Sequence, residues 1–366
     1  MSAKRLLCLL VLFVSFVGCS SGDSPLQKKV SKVSDAELAA IKALLAAGAT
    51  VKTDDGGSAT DIDLHQLKMS AESLGFLADL KSLRVLNLAD SSFSDQSLPV
   101  LETVTPQLVQ LDLRGCKISD KAAITIARFT ALRALRLNGK NGDTSIGDDG
   151  VKALAACKAL KVLALDDLFV GTDALAALTG LKDLEELYLA GTIVDDASCK
   201  LIAGFPLLKK LRLARNQVSD TALETLSACS SLEELDLSED SLITDAGMAH
   251  LAKLGQLKKL NLWRDQISDD GALMLAPLTK LEWLNLDNTK LSDAGLPVLK
   301  KMTALTFLHL GSTQITAAGA PALFHLKLLK DLKITRTALG SSDTAVSELK
   351  KNLPDTAIQT EYVESE

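Results

Sequence analysis

Aromatic side chains are scarce: nine Phe, two Tyr and two Trp make up 4% of 366 residues. Large rings each bury roughly 150–250 Å² in an ordinary core, so this chain builds its interior from Leu and Ala, through many small packing events instead of one or two large cores. Histidine is scarcer still. His65, His250, His309 and His325 are the four present, and none has a second His, Cys or carboxylate at metal-ligand spacing, which argues against a metal site. Neither charge dominates: 46 acidic residues against 40 basic ones leave a formal charge of −6, with no electrostatic reason to approach a phosphate backbone, so nucleic acid is not an expected partner. With 47% hydrophobic and 23% charged residues, the chain is too apolar and too evenly charged to stay disordered.

Long apolar runs are also rare, with one exception at the start. Lys4 and Arg5 precede Leu6 to Val17, a stretch too short to span a bilayer, followed by Gly18-Cys19-Ser20. This reads as a signal peptide over residues 1–18 and not as a transmembrane anchor. Phe16-Val17-Gly18-Cys19 resembles the lipobox of bacterial lipoproteins, with Phe16 where an aliphatic residue is usual. The resemblance implies that Cys19 becomes the acylated first mature residue, attaching the protein to a membrane without crossing it. Ser20 after that Cys, by resemblance to the sorting rule of diderm bacteria, favours the outer membrane. Residues 19–33 are short and polar and read as a tether. Loss of residues 1–18 removes Lys4 and Arg5 and no acid, taking the charge from −6 to −8.

The pattern Leu-x-x-Leu-x-Leu opens at Leu83, Leu108, Leu132, Leu160, Leu184, Leu208, Leu232, Leu257, Leu281, Leu305 and Leu329, at intervals of 24 or 25 residues and once 28. Within each unit the centre alternates with period two: Leu187 and Leu189 point one way, Glu186, Tyr188 and Ala190 the other, as in a half-buried strand. The segment that follows, Ser219-Asp220-Thr221-Ala222-Leu223 for example, places a hydroxyl at a helix N-cap and a carboxylate in the first turn. One strand and one helix cannot close a core, so units must stack. Eleven copies with sentences such as LEELYLAGTIVDD at 184 and LKKLNLWRDQISD at 257 resemble the leucine-rich repeat family over residues 83 to 340. The resemblance implies an α/β horseshoe solenoid with a parallel sheet on the concave face and helices on the convex face. The ninth position, often Asn in that family, holds Ser91, Cys116, Thr192, Asn216, Asp240, Asp265, Thr289, Thr313 and Thr337.

Residues 34–82 read as a helical cap plus an incomplete first repeat: Ser34 and Glu37 form a capping box, and Ile62 to Leu64 a partial strand. Residues 341–366 read as a closing helix from Asp343 to Lys351 and an acidic tail. Cys116, Cys157, Cys199 and Cys229 fit small buried thiols. The glycines between Asn138 and Gly147 fit neither a P-loop nor a dinucleotide fingerprint, and the segment reads as a longer solvated loop.

Repeat positions three, five and seven project from the inner sheet. Glu185-Glu186, Lys209-Lys210, Glu233-Glu234 and Lys258-Lys259 alternate in sign from unit to unit, as a ladder of register-setting pairs. Both tryptophans fall on inner-face positions, Trp263 and Trp283, with Phe307 one unit beyond Trp283, and Asn261, Asn285 and His309 fill the column between. Large rings flanked by amides and a His suit a recognition patch, and Tyr188 beside Arg212 forms a second one. No G-x-S-x-G, H-E-x-x-H or kinase signature is present, so neither catalysis nor a cofactor is expected. The resemblance implies a protein partner on the concave face. An envelope glycan stacked on Trp263, Trp283 and Phe307 is the alternative, and a spacer without a ligand is the third reading.

Overall fold

The computed structural model describes residues 33–69, 74–104 and 107–362. The signal segment and Cys19 lie outside them. Fourteen strands form one sheet in strict chain order, parallel throughout except at its start, where β1 (Thr50–Thr53) and β2 (Ala59–Asp63) pair antiparallel as a hairpin. The eleven repeat strands run from β3 (Val85–Asn87) to β13 (Asp331–Lys333), each beginning two residues after one of the Leu positions read from the sequence. Register follows the repeat. Leu211, Leu235 and Leu260 are consecutive partners, as are the residues on either side of them.

The two strand leucines of each unit point away from the concave face and are lost from solvent, as at Leu187 and Leu189. Each contributes about 1.5–3 kcal/mol by burial, so the interior is a leucine column punctuated by Phe93, Phe129 and Phe205. On the far side, short helices such as Asp196–Ile202, Asp220–Leu226 and Asp245–Leu251 close the layer. Helices of seven residues are marginal alone and persist by packing. The segments Leu296–Lys301 and Ala317–Leu323 wind as 3₁₀ turns instead of the expected α-helices; in the second, Pro321 lies inside the segment and removes an amide donor. His250 lies in the helix Asp245–Leu251, whereas His325 follows the 3₁₀ turn and holds the carbonyl of Leu299 at 2.9 Å.

Adjacent units are tied by a carboxylate ladder. Asp220 accepts from the amide and hydroxyl of Thr244 in the next unit at 2.9 and 2.6 Å, and Asp269 accepts likewise from Ser292 at 2.7 and 2.6 Å. In these units the Asp that opens the helix therefore also fixes the N-cap of the following one. Two residues after Asp245 and Asp269, Gly247 and Gly271 leave room for the carboxylate of the preceding unit: a Cβ would lie 2.4 and 2.2 Å from its Oδ1.

The ends add strands beyond those read from the sequence. The cap helix Asp35–Ala46 begins at Ser34, whose hydroxyl accepts from the Glu37 amide, but the Glu37 carboxylate turns to the Ala59 amide of β2 at 3.0 Å instead of closing the box. After the helix Asp343–Asn352, the segment read as a polar tail supplies β14 (Ala357–Gln359), paired with β13.

Candidate functional site

The eighth position of ten of the eleven units is a turn residue in the left-handed region, among them Arg215, Glu239, Arg264, Asn288, Ser312 and Arg336. This turns the chain off the sheet and sets long polar side chains along the edge of the concave face. The ninth position then satisfies the loop. Thr192, Thr289, Thr313 and Thr337 donate to the carbonyl three residues back at 2.6–2.8 Å, and Asn216 donates to Leu189 and Leu213 at 2.7 Å. Asp240 and Asp265 accept from the amides of Asn216 and Asp240, and their Oδ2 atoms are buried without a partner among the described residues. Burial pushes Asp240 up to about 8 and Asp265 up to about 9.

Across the middle of the concave face, charge is internally compensated. Glu185 sits between Lys161 and Lys209 at 2.6 and 2.8 Å, and the two ammonium groups hold its carboxyl down at about 2. Lys210 meets Glu186 and Glu234, and Lys258 meets Glu233. Here the sequence ladder has become contacts. Tyr188 and Arg212 are consumed in the same way. The tyrosine hydroxyl donates to Glu186 at 2.7 Å, and the guanidinium bridges Asp166 at 3.1 Å and Asp236 at 3.2 Å. They line a hollow of about 250 Å³ together with Lys210, Glu234 and Asp236, which are paired as well.

The aromatic patch is half-exposed and divides in two. Trp283 of β11 (Trp283–Asn285) and Phe307 of β12 (Phe307–His309) are cross-strand partners, stacked with centroids 4.8 Å apart and planes within 5°. Lys259 of β10 (Lys259–Asn261) lies over the Trp283 ring at 4.8 Å, and Lys333 over Phe307 at 5.7 Å, so cations flank the stacked pair. His309 meets the edge of Phe307 at 6.4 Å. Asn261 and Asn285 each accept an amide from two residues ahead, those of Trp263 and Asp287, and so shape the turn after their strand. Trp263 stands across this middle column, under Arg264.

Trp263 instead joins a cavity of about 340 Å³, lined among others by Asp287, His309, Lys333, Arg336 and Tyr362. His309 Nε2 is 3.9 Å from Asp287 Oδ1, and burial holds the imidazole below its ordinary pKa. Asp287, Lys333, Arg336 and Tyr362 were not among the sequence candidates. The first two occupy inner columns that the repeat register exposes; Arg336 at the left-handed turn and Tyr362 beyond β14 carried no periodic residue signal. A broader hollow of about 880 Å³ near Ser92, Lys117 and Asp143 has no half-exposed aromatic.

The four described cysteines are free and buried, and burial pushes Cys116 up to about 12 and Cys157 up to about 11, leaving them as unreactive thiols. Among the described residues there is no group of three or more His, Cys, Asp or Glu side chains that could hold a metal, and no helix is long and apolar enough to cross a membrane.

Comparison with known proteins agrees with this architecture. A Leucine Rich repeat family profile matches residues 106–127 and 206–227, on the units opening at Leu108 and Leu208. An internalin (inlF) from Listeria monocytogenes str. 4b F2365 is similar in structure over 90% of this chain and 96% of its own, with a TM-score of 0.63 and 20% identity. An internalin C2 from the same organism matches over 52% of this chain and 76% of its own, with a TM-score of 0.41 and 23% identity. The plant peptide hormone receptor RGFR1, solved in complex with RGF2, matches over 85% and 59%, with a TM-score of 0.45 and 16% identity. The chain folds as a leucine-rich repeat solenoid.

Proposed function

We propose that this protein is a non-catalytic binding module that holds a protein partner on its concave face, and that Cys19 anchors it by lipid to the bacterial envelope, at the outer membrane. The observation that carries the binding reading is the half-exposed Trp283–Phe307 pair, held on the inner face where the sheet offers no core to absorb it. Large rings fixed in this way give contact area at little entropic cost. A partner protein fits better than a glycan. A sugar needs an open ring face, whereas Trp283 and Phe307 cover one another and Lys259 and Lys333 stand over the two rings.

Affinity capture from envelope extracts with the full chain tests the binding reading. Trp283→Ala/Phe307→Ala is expected to lose the captured partner by at least about tenfold, with folding checked by circular dichroism. A double variant that captures the same partner equally well removes the pair from the interface. The anchor is tested separately: Cys19→Ser is expected to move the protein from the membrane to the soluble fraction, and an unchanged distribution contradicts lipidation at that residue.

A further inference from the structure

Along the concave face and its edge, most basic residues before β11 meet a carboxylate: Lys161, Lys209, Lys210, Lys258, Arg212, Arg215 and Arg264 all do. The last repeat unit breaks this rule. Lys333 and Arg336 stand over the rings of Phe307 and Tyr362 and form no ion pair among the described residues. Both line the cavity of about 340 Å³ that Trp263 enters from the other side. Three of its lining side chains, Asp287, His309 and Thr335, converge over the glycine at position 311. A Cβ there would lie 2.7 Å from Thr335 Oγ1 and 2.8 Å from both Asp287 Oδ1 and His309 Nε2.

We infer that the cavity over Gly311 seats an acidic peptide segment of the partner, with its side-chain carboxylates on Lys333 and Arg336 and its backbone against Trp263. The inference rests on the proposed protein-binding function and names the chemistry of the partner. Two observations divide the ligand's polarity. At the rim, two cations without carboxylate partners among the described residues call for negative charge, and an arginine there suits bidentate contact. Towards the floor, Asp287 repels a second carboxylate, and its Oδ1 lacks a hydrogen-bond donor. His309, held neutral at pH 7 by burial, presents an imidazole without adding a positive charge. The complement is an N–H donor inside and a carboxylate outside, as a peptide carrying Asp or Glu supplies. A simple inorganic anion supplies only the second.

The two tryptophans of the chain provide the readout, because each gives one indole N–H resonance and Trp283→Phe assigns them. Titrating the ¹⁵N-labelled full chain with a blocked Glu-Ala repeat peptide is expected to shift Trp263 more than Trp283, and binding should weaken at about 0.5 M NaCl. The matching Gln-Ala peptide is expected to bind at least about tenfold more weakly, as should the Glu peptide to Lys333→Gln/Arg336→Gln. Lys121→Gln/Lys152→Gln, which removes the same charge from the convex helices, is expected to behave as the parent. Equal binding of the Glu and Gln peptides, full affinity in Lys333→Gln/Arg336→Gln, or tighter binding of an oligogalacturonate than of the peptide would overturn the inference. Glu364→Gln/Glu366→Gln tests self-occupancy: unchanged affinity is expected, and a tenfold gain would assign the seat to the chain's own carboxylates. Loss of peptide binding while Trp283 and Phe307 still govern capture would sink this inference and leave the proposed function standing. Peptide binding without any captured partner would do the reverse.

Discussion

Asp240 and Asp265 occupy a position at which threonine and asparagine otherwise donate to a loop carbonyl, and neither donates there. Each uses one oxygen to accept an amide and buries the other without a partner. The unfolded chain releases these protons near the ordinary Asp value of about 3.9, whereas the fold retains them to about 8 and 9. Their contribution to stability is therefore fully present below about pH 4 and is lost as pH rises through 8 and 9. Asn216 shows the remedy: its Oδ1 accepts while its Nδ2 donates to two carbonyls. Asp240→Asn is expected to stabilise the protein by about 1 kcal/mol at pH 8 and to flatten the pH dependence there, as read by urea unfolding. An Asn variant less stable than the parent at that pH would show that the carboxylate is charged in the fold. The residue types at this position were legible in the sequence. That two of them lie wholly buried was not, because burial depends on the neighbouring turn.

At the scale of the element, the period-two alternation and the Ser/Thr-Asp pair gave strand and helix in each unit, since both signals repeat with the stacking distance. Two local features escaped. The segment Ala317–Leu323 winds as 3₁₀ around Pro321, whose missing amide the leucine spacing hides. The helix-opening Asp was legible as a first-turn charge, but its bonds into the following unit appear only once units are placed side by side. Asp220→Ala removes both bonds to Thr244 and a carboxylate from the N-terminus of the helix Asp220–Leu226. It is expected to cost about 2 kcal/mol in chemical denaturation. Asp173→Ala, an exposed first-turn acid in the helix Thr172–Leu178, should stay within about 0.5 kcal/mol. Equal costs at the two sites would mean that the inter-unit ladder adds nothing.

For the whole molecule, eleven regular units made the solenoid readable, because a repeated pattern leaves one way for every unit to bury its leucines. The ends were harder. The hairpin of β1 and β2 and the closing β14 depart from the repeat, and only contact with the neighbouring unit makes strands of them. The inner-face columns could be written from register alone, which placed Trp283 beside Phe307. Register could not show that Trp263 belongs instead to the cavity with His309, Lys333 and Arg336, since side-chain direction across columns is set by packing. The proposed function requires the sheet face to be the surface that meets a partner. A photoreactive phenylalanine analogue placed at Asn285, in the middle of that face, or at Ile124, exposed on a convex helix, measures this directly. Crosslinks to an envelope protein from position 285 and none from position 124 are expected; crosslinks from 124 alone would contradict the account.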